Sequence, residues 1–159
     1  MQPSGPNIFS VNTDEGRFNV VSFASPADVA RRGIPNEAIL GVLPPSVLEI
    51  KQTTIRLNAS FALFLHRAIA KHGPSAPSLM KIALQIGSGR MILADARAAA
   101  RGDRQESEDV FGTFQVEDGR IISNSYEANP DYLLVSKKGL FVLDAWLHSK
   151  LLEELASLY

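Results

Sequence analysis

Four stretches of the chain set two β-forming runs, rich in apolar positions, on either side of a short turn that ends in glycine. They cover residues 8–23 around Asp14-Glu15-Gly16, 80–94 around Gly87-Ser88-Gly89, 110–126 around Asp118-Gly119, and 133–143 around Lys137-Lys138-Gly139. A period of two sends successive side chains to opposite faces of a strand, and glycine accepts the positive φ that tight hairpin turns demand. Each stretch predicts a β-hairpin, and the series predicts an antiparallel sheet of up to eight strands.

The two later hairpins differ in what their faces need. A two-residue turn at Asp118-Gly119 sets Glu117 opposite Arg120, Val116 opposite Ile121, Phe114 opposite Ser123 and Phe111 opposite Tyr126. One face then holds Val110, Phe114, Val116 and Ile121. The other holds Thr113, Gln115, Arg120 and Asn124, with Phe111 and Tyr126 at its far end, a surface suited to partial exposure. The last hairpin is apolar on both faces, through Leu133, Leu134, Val135, Leu140, Phe141, Val142 and Leu143, which places it at a sheet centre or under a helix.

A period near 3.6 replaces the period of two in two places. Phe61, Phe64, Leu65, Ala68, Ile69 and His72 fall on one helical face, Asn58 or Ser60 caps the start, and Gly73-Pro74 stops the helix. Leu147, Leu151, Leu155 and Leu158, widened by Leu152 and Tyr159, form a stripe on a final helix that Asp144 can cap. That stripe suits packing on the sheet or a dimer. A shorter helix starts at Ser25-Pro26 and ends before Gly33, and the alanines of 96–101 favour another. Residues 35–58 read as loop with short extended pieces, 102–109 as an exposed acidic loop, and 1–7 as a fraying end. The fold class expected is α+β: an antiparallel sheet of sequential hairpins with two main helices, about 59–72 and 144–158, in a single domain over 1–159.

Composition narrows the function classes. The chain has 159 residues, 45% hydrophobic and 21% charged, which is enough apolar material for a core. Its net charge of -1 and dispersed cations lack the basic stripe that phosphate backbones require, so no nucleic-acid partner is expected. There is no cysteine, so disulfides, thiol catalysis and thiolate metal sites are excluded. The first residues lack the charged start and apolar run of a secretory signal, and no apolar stretch reaches membrane-spanning length; a cytoplasmic protein without a membrane partner is expected.

No local motif specifies chemistry. Gly87-Ser88-Gly89-Arg90 has the glycines of a phosphate loop, but Arg90-Met91-Ile92-Leu93 reads as a strand where a helix start is needed. His66, His72 and His148 form no chelating pattern, His66 is expected to face solvent, and no metal or cofactor is expected. Asp95 and Arg97 follow a strand end, where they could line a site or form a surface ion pair or helix cap. The connector 123–132 gathers Asn124, Tyr126, Asn129 and Tyr132 in a composition suited either to recognition or to turn and core roles, and His148 beside Trp146 joins the candidates. These residues favour a non-enzymatic binding or regulatory module acting on a protein partner or on itself as a homodimer. The alternative is a small-molecule enzyme with its pocket between sheet and helix, using Asp95, Arg97, Tyr126 and His148.

Overall fold

A computed structural model describes residues 5–159. Asn7–Thr13 (β1) and Gly16–Ser22 (β2) pair antiparallel across the Asp14-Glu15 turn as expected, with Thr13 opposite Gly16 and Asn7 opposite Ser22. The expected frayed end is therefore too long: Asn7 belongs to β1, and its side chain donates to the Ala24 carbonyl at 3.1 Å. Residues 1–4 of that expectation lie outside the described residues. Ser25 accepts the Asp28 N–H to cap Pro26–Arg32 (α1).

Residues 35–58 hold more structure than expected. Ile39–Leu43 (β3) is an interior strand, and Arg56–Leu57 (β4) closes a four-stranded sheet of order β1-β2-β3-β4. Gly41 permits that closure, because a Cβ there would meet the Arg56 carbonyl at 2.7 Å. Ala59–His72 (α2) matches its predicted span, with Asn58 accepting the Ser60 N–H at its start.

The predicted hairpin over 80–94 is wrong in its first half. Pro77–Ile86 (α3) is a helix, and Gly87 at φ 80 ends it before Gly89–Ala94 (β5). Met80, Ile82, Leu84 and Ile86 alternate like a strand but are all exposed, while the helical pair Leu79 and Ala83 is buried. Proline at the first position and helix-favouring Leu, Met, Lys, Ala and Gln decide the segment.

Val110–Glu117 (β6) pairs with β5 on one side and with Arg120–Ile121 (β7) and Glu127–Ala128 (β8) on the other. The predicted register holds at Glu117/Arg120 and Val116/Ile121 and then fails. The returning chain loops out at 122–125, with Asn124 at φ 65, and resumes with Thr113 opposite Glu127 and Gly112 opposite Ala128. Ser125 secures the loop by donating to the Ile122 carbonyl at 2.6 Å and accepting the Gln115 N–H at 3.0 Å. Tyr126 therefore packs on Phe114, ring centroids 5.0 Å apart, and Phe111 is wholly buried instead of lying on a mixed face.

Arg97–Ala100 (α4) is the short alanine helix. Val135–Ser136 (β9) and Gly139–Leu140 (β10) form the last hairpin as a separate two-stranded sheet, not the centre of a larger one. Ala145–Ala156 (α5) is capped by Asp144, whose carboxylate accepts the Leu147 N–H. The class is α+β, but with three antiparallel sheets and five α-helices among the described residues instead of one sheet and two main helices.

A single hydrophobic cluster joins these pieces: Val21, Leu40 and Leu43 of the first sheet, Phe61, Leu65 and Ile69 of α2, Leu79 and Ala83 of α3, the inward residues of β5 and β6, and Leu147, Leu151 and Leu155 of α5. The leucine stripe is thus taken up inside the fold. Glu154 of α5 binds Lys71 at 2.7 Å and His72 at 2.8 Å, tying α5 to α2. No helix among the described residues is long and apolar enough to cross a membrane.

Candidate functional site

Most of the candidate residues converge, but inside the protein. β5 ends at Ala94 and delivers Asp95 and Arg97, both 2% exposed, to a buried polar cluster at the start of α4. One Asp95 oxygen accepts the N–H groups of Arg97 and Val142, each at 2.9 Å, and the other accepts the Tyr132 hydroxyl at 2.7 Å. Arg97 Nε donates to Asp109 at 3.1 Å, Nη1 to the carbonyls of Leu134 and Gly139, and Nη2 to the carbonyl of Glu108. The guanidinium carbon also sits 5.4 Å from the centre of the Tyr132 ring.

Asp109 corrects the picture of 102–109 as wholly exposed, since it is fully buried and receives Lys138 Nζ at 2.8 Å and the Glu106 N–H at 2.9 Å. The two carboxyls diverge electrostatically. Burial pushes the Asp95 carboxyl up against the opposing pull of its hydrogen bonds and of Arg97. Burial also raises Asp109, but the hydrogen bonds from Lys138, Glu106 and Arg97 outweigh it and hold the group below the ordinary carboxylate value. Every charged member faces partners from its own chain, so the cluster works as a staple binding α4, the 102–109 loop and the last hairpin.

The tyrosines continue this interior. Tyr132 lies tilted against Phe111 with centroids 4.5 Å apart, and burial followed by the Asp95 charge pushes its phenol far up. Tyr126 donates to the Phe111 carbonyl at 3.1 Å and meets His66 Nδ1 at 2.7 Å. With the phenol proton on that carbonyl, His66 completes the pair by donating from Nδ1; with the phenol proton on the Nδ1 lone pair, His66 is the acceptor. His66 therefore does not face open solvent, and burial lowers its pKa. Asn129 is another clasp, donating to the carbonyls of Ser107 and Val110 and accepting the Asp131 N–H. Asn124 stands apart on the exposed 122–125 loop. His148 is also separate: it lies edge-on to Phe23 with centroids 5.0 Å apart, its Nε2 has no hydrogen-bond partner among the described residues, and burial lowers its pKa.

An open concave surface lies elsewhere, on the outer face of the first sheet. Val11 and Thr13 of β1, Phe18 and Val20 of β2, and Val42 of β3 share that face and floor a groove of about 600 Å³. Leu43, Pro44 and Pro45 form one wall, and Thr54 and Arg56 complete the lining. Asn19 fixes the proline wall from the opposite face of β2, donating to the carbonyls of Pro44, Pro45 and Val47 at 3.0–3.2 Å. Thr54 is held by its own turn, donating to the Glu49 carbonyl at 2.8 Å. Arg56 is exposed and makes no ion pair among the described residues.

No family model, curated protein or solved structure matches this chain. The groove was not among the sequence candidates, although the pattern held a signal for it. Alternation over 8–23 places Phe9, Val11, Phe18 and Val20 on one face while Ile8 and Val21 occupy the other. The first hairpin is therefore apolar on both sides, and the described fold covers only one of them.

Proposed function

We propose that the chain is a non-enzymatic cytoplasmic binding module that receives an apolar segment of a protein partner in the groove of the first sheet. The observation that carries this reading is the open groove floored by Val11, Phe18, Val20 and Val42. Such surfaces gain from burying apolar area, and a few rim polar groups orient what binds. Arg56 supplies that polarity, and its guanidinium, without an ion pair among the described residues, selects an acidic residue beside the apolar stretch, while the Thr13 and Thr54 hydroxyls donate to their own turns. An enzyme reading has less support, because the clustered Asp95, Arg97 and Tyr132 are engaged with their own chain.

Selection of displayed random peptides on the immobilised full chain tests the proposal. Apolar or aromatic residues flanked by Asp or Glu should be enriched, with binding lost in a folded Phe18→Glu variant and the acidic preference lost in Arg56→Gln. No enrichment, or enrichment that survives Phe18→Glu, contradicts it.

A further inference from the structure

The first sheet ends on an unusually unguarded strand. β1 is seven residues long, pairs with β2 without a register break, and its backbone bonds to nothing on its far side among the described residues. Its sequence, Asn-Ile-Phe-Ser-Val-Asn-Thr, contains no charge, proline or glycine, the devices that keep free edges from pairing. The other long edge, β5, carries Arg90 and a register break at Leu93/Ala94, while β4 and β7 to β10 have two residues each.

We infer that β1 is a homodimerisation edge along which two copies of this chain pair antiparallel about a twofold axis at Ser10. The backbone phase supports that register. With Thr13 and Gly16 closing a two-residue turn, the odd-numbered residues of β1 exchange hydrogen bonds with β2, and Ile8, Ser10 and Asn12 direct theirs outward. Pairing about Ser10 joins these outward residues, Ser10 to its counterpart and each Ile8 to the other copy's Asn12, as hydrogen-bonded pairs. Phe9 then falls opposite Val11 of the second copy at a close, non-hydrogen-bonded position, a favourable aromatic and β-branched combination.

Charge agrees with the register. Asp14 and Glu15 of each copy face the uncharged Pro6 and Gly5 of the other, so like charges never meet along the new edge. The twofold axis crosses the sheet and preserves its faces, so both grooves open on one side of an eight-stranded sheet. Pairing uses the outward backbone groups of β1, so the oligomeric state reads it separately from groove binding even though Val11 belongs to both surfaces.

Sedimentation equilibrium of the full chain, from micromolar to millimolar concentration, should show a monomer–dimer equilibrium. Ser10 is exposed and outside the groove lining, and its hydroxyl donates to Asn19 Oδ1 at 3.1 Å, so Ser10→Ala, which loses that bond alone, is the control for Ser10→Lys, which should in addition oppose two ammonium groups at the axis and weaken the dimer by about tenfold or more. Because the chain lacks cysteine, Ser10→Cys installs a single thiol where facing Cα atoms lie about 5.5 Å apart, a spacing that suits a disulfide. On mild oxidation it should cross-link far faster than Ala99→Cys, at an exposed position of α4. A monomer at millimolar concentration, a dimer indifferent to Ser10→Lys, or equal cross-linking of the two cysteine variants overturns the inference. So does a monomer whose β1 edge captures only a foreign extended peptide.

Discussion

Arg97 shows how a charged residue can be central without being available. Its guanidinium is desolvated, bonded to Asp109 and three backbone carbonyls, and flanked by Asp95 at 3.5 Å. Arg97→Met would leave the buried Asp95 without a cation and Asp109 with Lys138 alone, and removing one partner of such a buried pair costs about 3–5 kcal/mol. Urea unfolding should register that loss, and Arg97→Lys should restore only part of it because an ammonium cannot reproduce the planar fork. The imidazoles set a second residue-scale test. Burial holds His66 and His148 below the ordinary value of 6.5. Above that pH neither state is protonated, so there is no penalty. As pH falls below 6.5, the unfolded chain takes up protons that the folded chain refuses, and stability declines until the folded values are passed. The urea midpoint should therefore be lower at about pH 5.5 than at about pH 7.5, and His148→Phe should reduce that difference. Asp109 acts lower on the scale: its stabilising contribution is present above 3.8 and is lost as pH falls through its depressed folded value.

The elements differ in how much of their geometry is local. β6 and β8 approach so closely at Gly112 that a Cβ would strike the Glu127 carbonyl and the Tyr126 hydroxyl. Gly112→Ala should destabilise the protein by about 1–3 kcal/mol, as overpacking does, and thermal unfolding would check it. That contact could not be read from the sequence, because it follows from the 122–125 loop interrupting the return strand after a turn placed correctly at Asp118-Gly119. Caps and periodic faces were legible for α2 and α5, where Asn58, Asp144 and the buried rows agree. α3 was not, because its exposed Met80, Ile82, Leu84 and Ile86 imitate strand alternation over the helical pair Leu79 and Ala83. Asp95, Arg97 and Tyr132 were legible as residues of interest, but their burial depends on segments as distant as Asp109 and Gly139 folding around them.

For the molecule as a whole, the apolar cluster gathers helices and sheets on one side of the first hairpin and leaves the other side concave and open. Polar bonding holds that shape. Asn19 bonds three carbonyls of the 44–47 wall, and Asn19→Asp would remove those donors and set a carboxylate against them, costing about 1–3 kcal/mol in unfolding measurements. The polar cluster around Arg97 is thus engaged with its own chain while the face of the first hairpin is left open, and the proposed recognition uses that open face. Amide chemical-shift mapping of the full chain with anilinonaphthalene sulfonate, an apolar probe bearing one anionic group, tests this division most directly. Shifts concentrated at Val11, Phe18, Val20, Val42, Thr54 and Arg56 are predicted; shifts centred on Asp95, Arg97 and Tyr132, or none at all, would contradict the account.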